Sequence, residues 1–146
     1  VEFLFAFNKN QTPTTVASSA SGGEISRLML AVKSLAATTL QMPTIVFDEV
    51  DTGVSGAIAA RMGGLMKEIS AHIQVIAITH LPQVAALGNR HFRVFKHDTE
   101  TSTVTSVGEL SADERVEEIA KMLSGSAVDA AATANARALL SASQTH

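Results

Sequence analysis

Apolar residues recur along this chain with two different periods, and the periods divide it into elements. Residues 1–8, VEFLFAFN, alternate around Phe3, Phe5 and Phe7, which predicts a strand. Residues 9–20 are rich in Asn, Thr, Ser and Pro and predict a loop. From Glu24 to about Leu40 the residues Ile25, Leu28, Met29, Val32, Leu35 and Ala36 return at helical spacing, predicting a helix that buries this stripe. QMP ends it. TIVF (44–47) and IQVIAIT (73–79) are continuous apolar runs, the signature of strands covered on both faces. Between them Ser55 is placed to cap a helix carrying Ile58, Met62, Leu65, Met66 and Ile69 inward. Strand, helix and strand at this spacing predict a βαβ unit, hence a parallel pair with a right-handed crossover.

Beyond it, a short helix is predicted over 81–87 and a hairpin over 91–97 and 102–110, turning at DTETS. Ser111 and Glu114 have capping-box spacing and open a helix with Val116, Ile119, Ala120 and Leu123 inward. Gly125 stops it, and an alanine-rich helix follows over about 127–140. With no internal repeat and no linker composition, the expectation is one α/β domain over 1–146. Because a strand pattern begins at Val1, the segment reads as part of a longer chain.

Composition narrows the classes. With 46% hydrophobic and 17% charged residues over 146 positions, the chain is globular and can bury its own core. A net charge of −3 provides no overall basic field for gripping nucleic acid. There are no cysteines, so no disulfide framework and no thiolate chemistry, and a reducing compartment is expected. No apolar run approaches the ~18 residues of a membrane span. A soluble cytoplasmic protein without a membrane partner is the expectation.

Three stretches carry candidate chemistry. In SASGGEISR, Ser21 and Glu24 form a capping box, but Gly22 and Gly23 each cost a helix interior roughly 1 kcal/mol relative to alanine. Glycines there let free backbone N–H groups approach an anion at the positive end of the helix. The Glu24 carboxylate opposes a phosphate, so capping alone stays open as a reading. In TIVFDEVD, Asp48 and Glu49 end an apolar strand, where open α/β sheets bind ligands, and Asp51 adds a third carboxylate. Such a cluster repels itself unless a cation, base or proton relieves it. One carboxylate with substrate phosphates can hold hydrated Mg²⁺, while a neighbour acts as base for water. A solvent-facing acidic loop is the plain alternative. In VIAITH, His80 ends the second apolar strand and is expected beside Asp48 and Glu49. His72, His91, His97 and His146 lack such context and are expected at the surface. No G-x-x-x-x-G-K-[ST] loop occurs.

SGGEISR, then TIVFDEVD, then ITH, in that order, resembles the C-terminal half of an ABC-type P-loop ATPase head: signature motif, Walker B strand with D-loop, and switch histidine. The longer segments VASSASGGEISRLMLAVKS, PTIVFDEVDTGVSG, ITHLPQVAALGNRHFRVFK and RVEEIAKMLSG resemble the head of the RecN family, SMC-like bacterial ATPases of DNA double-strand-break repair and recombination. The resemblance implies a head half made of parallel buried strands with helices, a β-hairpin and two C-terminal helices. ATP and Mg²⁺ are the implied cofactors. Ser21, Gly22, Gly23 and Glu24 would meet the γ-phosphate of ATP held by the second head of a homodimer. Asp48 would position Mg²⁺ through water, Glu49 would activate the attacking water, and His80 would sense the γ-phosphate. Asp51 would belong to the D-loop at the dimer interface. Arg27 would support the phosphate or pair with Glu24, and the ion pair is the preferred expectation.

The family's phosphate-binding loop precedes this segment, so the N-terminal half of the same head is an implied partner and DNA another, in a nucleoid-associated bacterial protein. The segment alone is then expected to be inactive, with bare strand edges that favour non-native dimerisation. Two other readings stay open: a non-hydrolysing interaction module of this fold, and a self-contained Mg²⁺-dependent phosphohydrolase using Asp48, Glu49 and His80.

Overall fold

The computed structural model describes residues 4–6, 9–15, 21–99, 101–125 and 127–143. They fall into two compact units that meet between Leu81 and Pro82, a division that no linker composition announces.

In the first unit, β1 (Leu4–Phe5) pairs antiparallel with β2 (Thr14–Thr15), so a strand forms inside the predicted loop. Residues 1–3 and 7–8 of the predicted first strand lie outside the described residues. Helix α1 (Gly22–Thr39) starts earlier than its apolar periodicity, because the Ser21–Glu24 capping box takes both glycines into its first turn. Its C-terminus closes with Gln41 in the left-handed region, φ 51°, and the Met42 N–H donating to the Ala37 carbonyl at 3.0 Å.

The buried face of α1 is not the predicted one. Leu30, Ser34 and Ala37 are buried, while Ile25, Met29, Val32 and Leu35 face outward. Ser34 is tolerated inside because its hydroxyl donates to the Leu30 carbonyl at 2.6 Å. The helix thus carries two apolar stripes, and this unit covers only the one with the smaller side chains.

The predicted βαβ unit forms as β3 (Thr44–Asp48), α2 (Gly56–Ser70) and β4 (Gln74–Ile78), with β3 and β4 parallel in the register Thr44↔Gln74 to Asp48↔Ile78. Ile45 and Phe47 are buried with Ala59, Met62, Met66 and Ile69 of α2. Ser55 stands at the N-cap as predicted, but its side chain makes no capping bond. The expectation of strands buried on both faces fails on one side. Val46, Ile76 and Ile78 share the other face by the period of two and stay about half exposed, at 48%, 45% and 52%.

The second unit contains α3 (Pro82–Ala85), the hairpin β5 (Phe92–Asp98) and β6 (Thr103–Glu109), α4 (Ala112–Ser124) and α5 (Ala130–Ala142). Both predicted signals at α4 hold: the Ser111–Glu114 capping box is present, and Gly125 ends the helix with φ 77°. The start of α5 falls later than predicted, because the Asp129 carboxylate accepts from the Ala132 N–H at 2.7 Å and fixes the N-cap there. Ile119 and Ala120 of α4 pack with Ala86, Ala132 and Ala136. The Arg115 guanidinium donates to the carbonyls of Ala86 at 2.8 Å, Asn89 at 3.5 Å and Gly88, pinning the segment that leads into β5.

His91 departs from its predicted surface placement. It is partly buried, and burial, aided by the Arg115 charge and opposed by Glu118, holds its imidazole below the ordinary value. The unfolded chain therefore takes up this proton before the folded one does, so stability present above the ordinary imidazole range is lost as pH falls through it. Lowering pH from about 7.5 to 5.5 is expected to lower the melting temperature, and His91→Gln to flatten that dependence. Thermal denaturation across this range checks it; an unaltered pH slope in the variant would contradict the assignment.

Candidate functional site

The parallel register places the ends of β3 and β4 side by side. Asp48 is the last residue of β3, opposite Ile78, and is exposed. The chain then turns sharply through Glu49, whose φ of 47° is left-handed and uncommon for a residue with a side chain. Three hydrogen bonds hold this conformation. The Glu49 N–H donates to the Ile78 carbonyl at 3.1 Å, and the Glu49 carbonyl accepts from the Thr52 N–H at 3.2 Å and hydroxyl at 2.9 Å. The result is an exposed carboxylate on a backbone that the neighbouring strand fixes. Left-handed residues held this way concentrate at functional sites.

The expected three-carboxylate cluster does not form. Asp51 is 1% exposed, and its carboxylate accepts a hydrogen bond from the Thr79 hydroxyl at the end of β4. Burial separates it from the exposed carboxylates of Asp48 and Glu49. His80 lies beside Asp51, Nδ1 to Oδ1 3.6 Å, and its side chain is 62% exposed. Among the described residues no three His, Asp or Glu side chains gather into a metal cage. Mg²⁺ needs no such cage when phosphates supply oxygens, and Asp48 offers one exposed carboxylate at the strand end, so the residues fit that ion.

The start of α1 is ordered by its own residues. The Ser21 N–H donates to the Glu24 carboxylate at 2.7 Å, and the Glu24 N–H donates to the Ser21 hydroxyl at 3.4 Å. The Ser21 N–H first, and then the Ser21 hydroxyl, hold the Glu24 carboxyl below its ordinary range, and the Arg27 charge contributes least. Glu24 is therefore engaged with Ser21, and the preferred Glu24–Arg27 ion pair is replaced by this internal cap. Arg27 instead runs along an open groove with Leu30, Ile58, Arg61, Met62 and Leu65.

The two glycines differ. A Cβ on Gly23 would lie 3.1 Å from the Gly53 carbonyl oxygen, so this position is bare because the turn after β3 packs on it. A Cβ on Gly22 would meet nothing within 4 Å. No contact inside the described chain requires a glycine there. Sequence reasoning missed Thr79 and Gly53. Their signals were a hydroxyl residue ending an apolar strand next to His80, and a glycine in the turn of DTG.

No protein-family model matches the chain. It is similar to the DNA repair protein RecN of Haemophilus influenzae, 42% identical over 140 residues, covering 96% of this chain and 25% of that protein. RecN of Xylella fastidiosa strain 9a5c is 45% identical over 139 residues, again covering 95% of this chain and 25% of the relative. The chain thus spans about a quarter of the length of the curated relatives it matches. Among solved structures, an SMC head domain with coiled coil and joint from Pyrococcus yayanosii superposes with a TM-score of 0.64 at 26% identity, over 74% of this chain and 20% of that one. A structure from work on ATP-driven dimerization and DNA-stimulated activation of SMC ATPases gives a TM-score of 0.61 at 21% identity, over 81% of this chain and 70% of that one. The chain is thus related along nearly its whole length to a quarter-length segment of the RecN DNA repair proteins, and its fold is that of an SMC-type ATPase head.

Proposed function

We propose that this chain is the signature and Walker B segment of a RecN-type ATPase head that hydrolyses ATP between two heads in DNA double-strand-break repair. The observation that carries the reading is Glu49: an exposed carboxylate on a left-handed backbone, fixed at the carboxyl end of β3 by the neighbouring strand. Phosphoryl transfer depends mainly on positioning and charge stabilisation, and a rigid, solvent-facing carboxylate suits a base that orients water. In this reading Glu49 takes the proton of the attacking water, and His80 faces the γ-phosphate from the end of β4. Asp48 would hold Mg²⁺, which would supply charge neutralisation on the phosphates.

Ser21, Gly22 and Gly23 then serve the nucleotide of the opposite head. The capping box leaves the Gly22 and Gly23 N–H groups at the positive end of an 18-residue helix. The openness of Gly22 supports an anion approaching from another molecule. Glu24 organises this turn through Ser21 and is not itself a phosphate contact. The bare apolar face of Val46, Ile76 and Ile78, with the outward stripe of α1, supports a further layer of the same head packing there. That layer is the N-terminal half, which carries the phosphate-binding loop. DNA is the partner of the whole protein, and the cytoplasmic nucleoid its location.

In a full-length RecN protein carrying this segment, Glu49→Gln is expected to lower kcat by about 10²–10⁴-fold while ATP binding persists. Steady-state phosphate release with a nucleotide-binding assay measures both, and an unchanged kcat would contradict the role. The glycines separate function from folding. Gly22→Ala is expected to keep or raise the melting temperature, since its methyl meets open space and alanine favours the helix, yet to depress hydrolysis. Gly23→Ala is expected to lower the melting temperature, because its methyl presses on the Gly53 carbonyl. Full hydrolysis with Gly22→Ala would remove the phosphate-facing role.

A further inference from the structure

We infer that Asp51 is a positioning residue: its buried carboxylate fixes the ring orientation and tautomer of His80 and ties the Glu49 turn to the end of β4. The inference rests on the reading of His80 as a γ-phosphate-facing residue only for its catalytic consequence; the geometry stands by itself.

Asp51 is buried to 1% exposure on the turn that follows Glu49. One carboxylate oxygen, Oδ2, accepts from the Thr79 hydroxyl, and the Thr79 oxygen in turn accepts from the Leu81 N–H at 3.0 Å. Thr79 is thereby saturated on both sides and cannot rotate without losing a bond. The other oxygen, Oδ1, is buried with no hydrogen-bond partner. A buried carboxylate oxygen without a donor is a costly arrangement. His80 Nδ1, which can donate, lies 3.6 Å away. The separation is longer than a hydrogen bond, and a small rotation of the exposed ring closes it.

A carboxylate facing Nδ1 favours the proton on that nitrogen, as when a carboxylate sets the tautomer of a histidine from its far side. The neutral ring then presents an unprotonated Nε2 to solvent. Two ties join the turn to β4: the Glu49 N–H to the Ile78 carbonyl at 3.1 Å, and Asp51 to Thr79. Glu49 and His80 are consequently held in one frame, with Asp51 as the buried pin between them.

The test is the tautomer of His80 in the 146-residue chain labelled with ¹⁵N-histidine, read from long-range ¹H–¹⁵N correlations at about pH 8, where imidazoles are neutral. The expected result is the Nδ1–H tautomer in the wild-type chain. Asp51→Asn should convert it to Nε2–H, since the amide then offers a donor to Nδ1. Thr79→Val should weaken the preference, and Thr79→Ser should restore it. A wild-type Nε2–H tautomer would overturn the inference, as would the same tautomer in a folded Asp51→Asn chain. If that variant fails to fold, the wild-type assignment and the Thr79 pair decide the matter. In the full-length protein, Asp51→Asn should lower kcat about 10-fold with little change in KM. This readout is separable from the proposed ATPase: a Glu49→Gln protein with full activity would sink that reading and leave the His80 tautomer untouched.

Discussion

The parallel pairing of β3 with β4 is the constraint on which the site depends. Its register sets Asp48 opposite Ile78, so the residues that leave the two strands, Glu49 on one and Thr79 and His80 on the other, emerge at the same edge. Phe47, fully buried, and Ile45 bury one face of the pair and oppose a slip of one residue, which would turn Asp48 toward the core. The left-handed Glu49 is sustained by this pairing, because its N–H finds the Ile78 carbonyl only in this register. Removing the strand pair removes the site.

A second consequence follows from what packs beside that edge. The turn after Glu49 presses the Gly53 carbonyl onto Gly23, so the start of α1 is referenced to the same turn that carries Glu49. The paired glycines therefore have different causes. Gly23 is bare for packing within the chain, and Gly22 is bare toward open space. The helix-propensity cost at Gly23 is offset locally by the close approach it permits, and no contact among the described residues does the same for Gly22.

Much of this was legible in the residues. Both capping boxes formed where Ser and Glu stand three apart, and the βαβ unit followed from two apolar runs flanking a helical period. The candidate residues Asp48, Glu49 and His80 do lie at neighbouring strand ends. What the periodicity misjudged was coverage. Continuous apolar strands and the stripe of Ile25, Met29, Val32 and Leu35 predict burial, but one face of the strand pair and that stripe stay exposed among the described residues. The three carboxylates do not gather for a different reason: spacing counts carboxylates but does not show that Thr79 captures one of them. His91 was misplaced because the Arg115 and α4 environment is remote in sequence.

The central claim is that Gly22 and Glu49 of one chain serve different nucleotides, each completed by a second head. Mixed dimers of the full-length protein test it most directly, by phosphate release, with a Gly22 lesion and a Glu49→Gln lesion distributed in two ways. With the two lesions on opposite protomers, one intact composite site remains and hydrolysis persists. With both on the same protomer, each composite site contains one lesion and hydrolysis is lost. The reverse outcome, activity only when both lesions share a protomer, would mean that each chain builds its own site and would contradict the account.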